Sequence, residues 1–496
     1  MMKNIAKLMA VVLLGSTING MAATRKPNVV YVLSDDLGYG DVHCLNPQRG
    51  KIATPHADRL AAQGMVFTDA HSGSSVCTPT RYGIVTGRYA WRTRLQSGVL
   101  GGYSPPLIDA ERLTVPKLLK QHGYHGACIG KWHLGMTLPD AKQLTGAIQD
   151  GPTTRGFDFY FGISASLDMP PFALIENDRF TQAPTATKKW VRSGPAAPDF
   201  EAVDVLPALT RKAVEYIGRR SAEKNPFFLY LALTSPHTPL VPTKEWQGKS
   251  DLGPYGDFVM ETDWALGQVM EALDKAGIAD NTLLIFTSDN GCAPYIGVDK
   301  LEKQGHYPSA DRRGYKADIW DGGHRIPFIA RWPGVAKPGS ACGQLTCLTD
   351  LMATCADILG AKLPDNAGED SISILPLLKG QDRPVREAVV HHSIRGMFAL
   401  RQGNAKLIFG PGSGGWSKGG SDQSPVQLYD MAQDVGERRN RQAADKADVA
   451  RLTQLMEQYI AGGRSTPGGP QKNDAAINLW KKGRPAAKTS EGKNKQ

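Results

Sequence analysis

Asn28-Val-Val-Tyr-Val-Leu-Ser34, followed by Asp35-Asp36, reads as a strand buried on both faces that runs straight into two carboxylates. The design recurs along the chain. Leu283 to Ser288 stops at Asp289-Asn290-Gly291, Phe227 to Leu233 ends in Thr234-Ser235-Pro236-His237, and Tyr124 to Gly130 runs into Lys131-Trp132-His133. Helical stretches such as Leu113 to His122 and Thr262 to Ala276 lie between them, so strand and helix alternate. The pattern predicts an α/β fold: a large, mostly parallel sheet sandwiched by helices. In such a sheet, ligands bind outside the carboxyl ends of the strands. One carboxylate there is ordinarily a helix cap or a loop hydrogen bond, but four polar strand ends delivered to one edge make a site. The oxygen donors Asp35, Asp36, Asp289 and Asn290 are hard and carry no paired-cysteine spacing, which suits Ca²⁺ better than Zn²⁺, with Mg²⁺ the second choice.

A second stretch, Ser75-Val76-Cys77-Thr78-Pro79-Thr80-Arg81, supplies chemistry. Pro79 suits the first turn of a helix with Thr78 as its N-cap, and Gly87 suits its end. Cys77 then stands at a helix N-terminus, where anions are attracted, and Arg81 returns to the same face four residues on. A guanidinium there can grip an oxyanion with two hydrogen bonds. Further along, Gly314-Tyr315-Lys316 and Asp321-Gly322-Gly323-His324-Arg325-Ile326-Pro327 form a glycine-rich loop before another apolar strand, Phe328 to Ala330. A lone lysine such as Lys316 is ordinarily a solvated surface charge.

The 496 residues are 41% hydrophobic, enough for one large domain and a smaller one. Residues 1–23 combine Lys3 and Lys7, the apolar run Leu8 to Leu14, and small residues up to Ala23, as in a secretory signal peptide. The apolar run is too short to span a bilayer, so an exported protein, periplasmic or secreted and without stable membrane insertion, is expected. Seven scattered cysteines are too few for a disulfide scaffold; Cys342, Cys347 and Cys355 leave room for one bridge or for buried thiols. The formal charge is +10, but residues 463–496 hold eight Lys or Arg against two acids. That tail reads as flexible, and no basic face with interleaved aromatics supports nucleic-acid binding.

Taken together, these stretches resemble the type I, formylglycine-dependent sulfatases of the alkaline-phosphatase-like superfamily. The match runs in order from about Lys26 to Tyr429: Asp35-Asp36, Cys77-x-Pro79-x-Arg81, Gly130-Lys131-Trp132-His133-Leu134-Gly135, Ser235-Pro236-His237, Asp289-Asn290-Gly291, Lys316 and Gly323-x-Arg325-x-Pro327. The resemblance implies that a maturation enzyme oxidises Cys77 to formylglycine. It implies that Asp35, Asp36, Asp289, Asn290 and residue 77 hold Ca²⁺, and that the hydrated aldehyde attacks sulfur. Arg81, Lys131 and Lys316 would stabilise the transferring group, His237 or Lys316 would protonate the leaving oxygen, and His133 would take the proton of the second hydroxyl so that sulfate is expelled. A serine or cysteine sulfate lacks that second hydroxyl. Ser166 is a site-lining position on a looser match, and Asp168 and His324 are further candidates for substrate contact.

After Gly380 the alternation changes. Ala388 to His392, Phe398 to Arg401 and Lys406 to Phe409 read as antiparallel strands, Val449 to Ala461 as an amphipathic helix, and Gly410 to Ser424 as a loop at the mouth of the site. The expected division is signal peptide 1–23, catalytic domain 24–380, a C-terminal α+β unit 381–462 and a flexible basic tail 463–496. Trp91 to Leu107 is similar to segments of bacterial galactose- or N-acetylgalactosamine-6-sulfatases, which implies a sulfated carbohydrate as substrate. Two other readings use the same residues. One is a phosphate mono- or diesterase of the superfamily, against which Cys77 in its motif argues; the other is an inactive sulfated-glycan binder, against which the intact Lys131, His133 and His237 argue.

Overall fold

The computed structural model describes residues 25–139, 144–418 and 423–481. The expected leader lies outside them. None of the described helices is long and apolar enough to cross a membrane.

The Asn28–Ser34 strand is the middle of a ten-stranded sheet. It pairs in parallel with Phe227–Ala232 on one side and Thr282–Ser288 on the other, with Val32 opposite both Leu231 and Phe286. His125–Lys131 and Phe159–Ile163 continue the parallel set outward from Phe227–Ala232. Beyond Thr282–Ser288 the sheet becomes mixed, because Phe328–Arg331 runs antiparallel to it and to Met65–Phe67. The two-residue alternation of side chains divides the core. Val29, Tyr31 and Leu33 point into one apolar cluster, and Val30 and Val32 into the other. The first cluster includes residues of the Cys77–Thr86, Val115–Gln121 and Leu351–Leu359 helices; the second those of Pro55–Gln63, Ala202–Ser221 and Gly253–Lys275. The result is a large, mostly parallel sheet between two helical layers, as expected.

The C-terminal unit is a four-stranded antiparallel sheet, Val389–His392, Phe398–Gln402, Ala405–Ile408 and Gln427–Asp430, with the Lys446–Ala461 helix packed on it. All seven cysteines are free, so the possible bridge among Cys342, Cys347 and Cys355 is absent among the described residues. The expected flexible tail is corrected for residues 463–481. Asp474 takes two hydrogen bonds from the Arg88 guanidinium, Asn473 accepts one from Arg92, and Leu479 and Trp480 join the apolar cluster of the C-terminal sheet. Two buried arginines and an apolar groove hold a segment whose composition alone reads as loose.

Candidate active site

The parallel strands release their polar residues at one edge. Asp35 and Asp36 follow Ser34, Lys131 ends its strand, Asp289 and Asn290 follow Ser288, and His237 comes five residues after Ala232. The strand ends interlock: the Asp35 N–H donates to the Ser235 carbonyl, and the Asp36 N–H to Asp289 Oδ1 at 3.2 Å. Asp36 and His133 adopt left-handed backbone at φ 63° and 57°, a conformation that non-glycine residues hold only when their surroundings impose it. Gly130, before Lys131, has φ 119°, and a Cβ there would sit 1.8 Å from the Ala232 carbonyl oxygen. No other residue lets the two strands approach.

Cys77 opens the Cys77–Thr86 helix, whose N-cap is Val76 rather than Thr78. The Thr78 hydroxyl instead accepts from the Leu100 N–H at 3.2 Å, while the helix does end at left-handed Gly87 as expected. Arg81, one turn in, donates Nε and Nη2 to Asp289 Oδ2 at 2.9 and 2.8 Å and Nη1 to the Lys131 carbonyl. Lys131 Nζ donates to Asp35 Oδ2 at 2.7 Å, and Lys316 Nζ to Asp36 Oδ2 at 2.6 Å. Asn290 donates its amide to Asp36 Oδ1. The Ser166 hydroxyl lies 3.4 Å from Lys131 Nζ and 3.3 Å from the His237 ring nitrogens. The structure therefore gathers every expected metal, catalytic and Ser166 position into one buried cluster, three carboxylates against three cations, in which residues 77 and 316 are among the more exposed at 3% and 4%.

Burial and the neighbouring Asp35 push the Asp289 carboxyl up to about 6, against the pull of Arg81. Burial also raises Asp35, but Lys131, His237 and Arg81 outweigh it and hold that group far below the ordinary carboxylate range. Lys316 is penalised by burial yet held well above its ordinary value by Asp36. The Cys77 thiol is pushed up by burial despite Lys131 and Lys316, so it keeps its proton and is a poor nucleophile as it stands. His133 is driven well below 6.5 by burial and then by Lys131. Its Nε2 lies 2.6 Å from the Leu100 carbonyl and must donate there, which leaves Nδ1 with its lone pair, buried and without a hydrogen-bond partner among the described residues. His237 is likewise lowered by burial and by Lys316, and its Nδ1 donates to the Thr238 carbonyl.

A divalent cation fits this donor set. Asp35 Oδ1 and Asn290 Oδ1 are buried oxygens without hydrogen-bond partners among the described residues, beside the carboxylates of Asp36 and Asp289. Four hard oxygen ligands with no thiolate pair match Ca²⁺ or Mg²⁺.

Asp168 sits two residues past Ser166, with Oδ2 taking a 2.8 Å bond from Arg192 Nη1. His324 is corrected: it is fully buried in a different cluster and reaches none of the site residues. There its Nδ1 lies 3.0 Å from His71 Nδ1, its Nε2 approaches the Ile319 carbonyl and Lys406 Nζ, and its ring stacks on His391 at 3.7 Å and 11°. The His71 and His324 nitrogens are engaged by each other, by Asp69 and by the Ile319 carbonyl, with Arg325, Arg401 and Lys406 against them. Asp69 in this cluster is clamped by Arg401 and Arg325, and Asp321 and Glu437 by Lys406. Trp91, which opens the segment similar to the 6-sulfatases, packs in the core against Phe398. The glycine-rich loop, described over 410–418, does lie at the site: Trp416 stands 6.0 Å from Lys316 Nζ. Trp416 and Tyr295 at the rim were missed in sequence; a tryptophan inside a glycine run, Gly414-Gly415-Trp416, was the available signal.

Comparison with known proteins accords with this geometry. Residues 27–361 match the sulfatase family model. An N-acetylgalactosamine-6-O-sulfatase of Bacteroides thetaiotaomicron is 34% identical over an alignment of 486 residues covering 88% of this chain and 93% of that protein. Human arylsulfatase A is 31% identical, with 88% of each chain covered. A solved Bacteroides thetaiotaomicron structure, from work on the metabolism of multiple glycosaminoglycans, superimposes with a TM-score of 0.79 at 32% identity, covering 88% of this chain and 99% of that one. The chain belongs to the sulfatase family and is a sulfuric ester hydrolase.

Proposed function

We propose that this protein is an exported sulfatase that removes sulfate from a sulfated carbohydrate, with residue 77 matured to formylglycine and a calcium ion held by Asp35, Asp36, Asp289, Asn290 and residue 77. A 6-sulfated N-acetylgalactosamine is the substrate class favoured, since the bacterial relative is named an N-acetylgalactosamine-6-O-sulfatase; galactose 6-sulfate enters only through the resemblance of Trp91 to Leu107. The observation that carries the reading is the unpartnered Nδ1 of His133 in the same buried cluster as Cys77, Arg81, Lys131 and Lys316. The Sγ of Cys77 stands where the matured residue would present hydroxyl oxygens. Formylglycine supplies a nucleophile with a second ionisable hydroxyl, and the cation supplies positive charge to sulfate oxygens.

The chain's own groups do the rest. Arg81, Lys131 and Lys316 surround the sulfate with fixed positive charge in a site that excludes water, where such charge acts most strongly. Leu100 fixes the His133 tautomer, so Nδ1 is the base that removes a proton from a hydroxyl on residue 77. Lys316 keeps its proton beside Asp36 and is the stronger donor to the leaving oxygen; His237, with Nδ1 donating to Thr238, offers Nε2 as an acceptor to the Ser166 hydroxyl and positions that hydroxyl beside Lys131.

The test is expression in a host with the maturation enzyme. Peptide mass spectrometry should find an aldehyde at position 77, and sulfate should be released from the 6-sulfated sugars. Cys77→Ala should lose release altogether while melting like the parent; release of undiminished size from that variant would overturn the proposal.

A further inference from the structure

Exposed large apolar side chains are few among the described residues, yet two of them meet at the mouth of the site. Tyr295 is 52% and Trp416 43% exposed, with ring centroids 5.7 Å apart at 46°. Both are tied to groups of the reaction. The Trp416 and Ser417 N–H groups each donate to Asp318 Oδ1 at 3.0 Å, and Ile319 N–H to the Ser413 carbonyl. Gly415 is pressed so close to Ala317 that a Cβ would lie 2.3 Å from its carbonyl oxygen. Residues 317–319 follow Lys316 directly, so the loop that carries the indole is bonded to the residues next to the ammonium. Tyr295 pairs with the Thr238 side chain, next to His237, and its phenol feels Lys316, Asp36 and Asp168. Burial pushes that phenol up to about 12, so it stays a hydrogen-bond donor.

Asp168, close enough to Tyr295 to act on its phenol, is 6% exposed. Its Oδ2 is held by Arg192, but Oδ1 is buried without a hydrogen-bond partner among the described residues. An unpaired buried carboxylate oxygen is costly until a donor reaches it, and a site with such an acceptor rejects analogues that lack the matching hydroxyl.

We propose that Trp416 and Tyr295 form a stacking shelf for the pyranose ring that carries the sulfate, and that Asp168 Oδ1 accepts a hydrogen bond from one of its hydroxyls. A pyranose presents an apolar C–H face, which complements the negative face of an indole, and a ring of hydroxyl donors, which complements Asp168. The shelf rests on the carbohydrate reading above and assigns the residues that read the sugar, while the basic cluster reads only sulfate.

The experiment uses the matured full-length protein and the exposed position Trp416, where substitution leaves the core untouched. Three quantities are measured for the parent, Trp416→Ala and Trp416→Phe: KM for N-acetylgalactosamine 6-sulfate, KM for 4-nitrocatechol sulfate, and Ki for inorganic sulfate. Trp416→Ala should raise the sugar KM about tenfold, Trp416→Phe should restore most of it, and Ki for inorganic sulfate should stay within about twofold. An unchanged sugar KM in Trp416→Ala overturns the shelf alone. A parallel rise in the sulfate Ki would mean general damage to the pocket, and an equal KM rise with 4-nitrocatechol sulfate would mean a shelf for flat aromatics; either result overturns it. A parent enzyme that hydrolyses 4-nitrocatechol sulfate and no sulfated sugar overturns the carbohydrate reading and the shelf together.

Discussion

Two buried clusters in this molecule carry the same formal charges, three acids against three bases, and spend them differently. Under Cys77, Asp35, Asp36 and Asp289 face Arg81, Lys131 and Lys316. Between the large sheet and the C-terminal sheet, Asp69, Asp321 and Glu437 face Arg325, Arg401 and Lys406. In the second cluster both carboxylate oxygens of Asp69 are taken by the Arg401 fork, and Lys406 bridges Asp321 and Glu437. In the first, two strand-end oxygens, Asp35 Oδ1 and Asn290 Oδ1, and His133 Nδ1 are left without hydrogen bonds among the described residues; the second leaves His391 Nε2 and Glu437 Oε1 without one, but Glu437 Oε1 stands 2.7 Å from the Lys406 ammonium, so its carboxylates remain ion-paired. Unfilled acceptors beside fixed cations mark a place built to receive something, whereas carboxylates clamped from several elements mark a fastener. The fastener also bears on the site: Ser75 N–H donates to the His392 carbonyl and Ala317 N–H to the Ser75 carbonyl, so the C-terminal sheet holds the loops that carry Cys77 and Lys316.

The sharpest separation of the two comes from His133→Asn. Asparagine tolerates the left-handed backbone and offers no base; its amide stops at the level of Nδ1, short of the Leu100 carbonyl, a loss of about 1 kcal/mol. Sulfate release should fall by about 10²–10⁴-fold with little change in melting temperature. A variant that kept at least a third of parental turnover would remove His133 from the reaction and leave its free Nδ1 unexplained.

Lys406→Met is the converse case. It leaves Asp321 and Glu437 buried without their shared cation, for a loss of stability of about 3–5 kcal/mol. Burial already pushes Glu437 up to about 7 against Lys406, so the variant should take up a proton there rather than keep two charges. Urea unfolding should show the loss, while KM for sulfated substrate in the folded fraction stays near the parent's. A shifted KM at unchanged stability would make this cluster part of the site after all.

How far these two regions were legible differs for a physical reason. The four strands were readable to within a residue or two because burial on both faces demands continuous apolar runs, and their polar ends followed from where such runs stop. The meeting of Asp35, Asp36, Asp289 and Asn290 at one sheet edge, and of Cys77 with Arg81 on one helix face, was likewise legible from short local stretches, whereas Lys316 was placed beside them only by the family resemblance. Thr78 was misread as a cap because its hydroxyl found the Leu100 N–H, a partner 22 residues away. His324 was misread because its neighbours come from three separate segments: His71 lies 253 positions earlier, and Lys406 is 82 positions on. The tail to residue 481 was misread because the anchors Arg88 and Arg92 lie far back in the chain. Local sequence shows what a segment offers; only the fold shows which distant segment takes it up.

The smallest effect concerns the pH dependence of the fastener. Burial, and secondarily Arg325, lowers His71 to about 4 despite the opposing Asp69, against 6.5 in an exposed chain. The unfolded state therefore binds more protons between those values, so this contribution to stability is fully present above pH 6.5 and is lost as pH falls toward 4. The loss attributable to His71 is about 3 kcal/mol. His392, lowered to about 3 by burial, works in the same direction, whereas Asp263, pushed up to about 7 by burial, works against it because its folded form takes a proton readily as pH falls. The net slope is thus a difference of opposed terms, and the parent's curve alone assigns nothing. His71→Gln removes one titrating group and leaves the others, so its urea midpoint should decline less steeply than the parent's between pH 6.5 and 4.5. Parallel curves would mean that His71 is charged in the folded cluster, and the contrast between a neutral histidine core here and a charged, open site under Cys77 would fail.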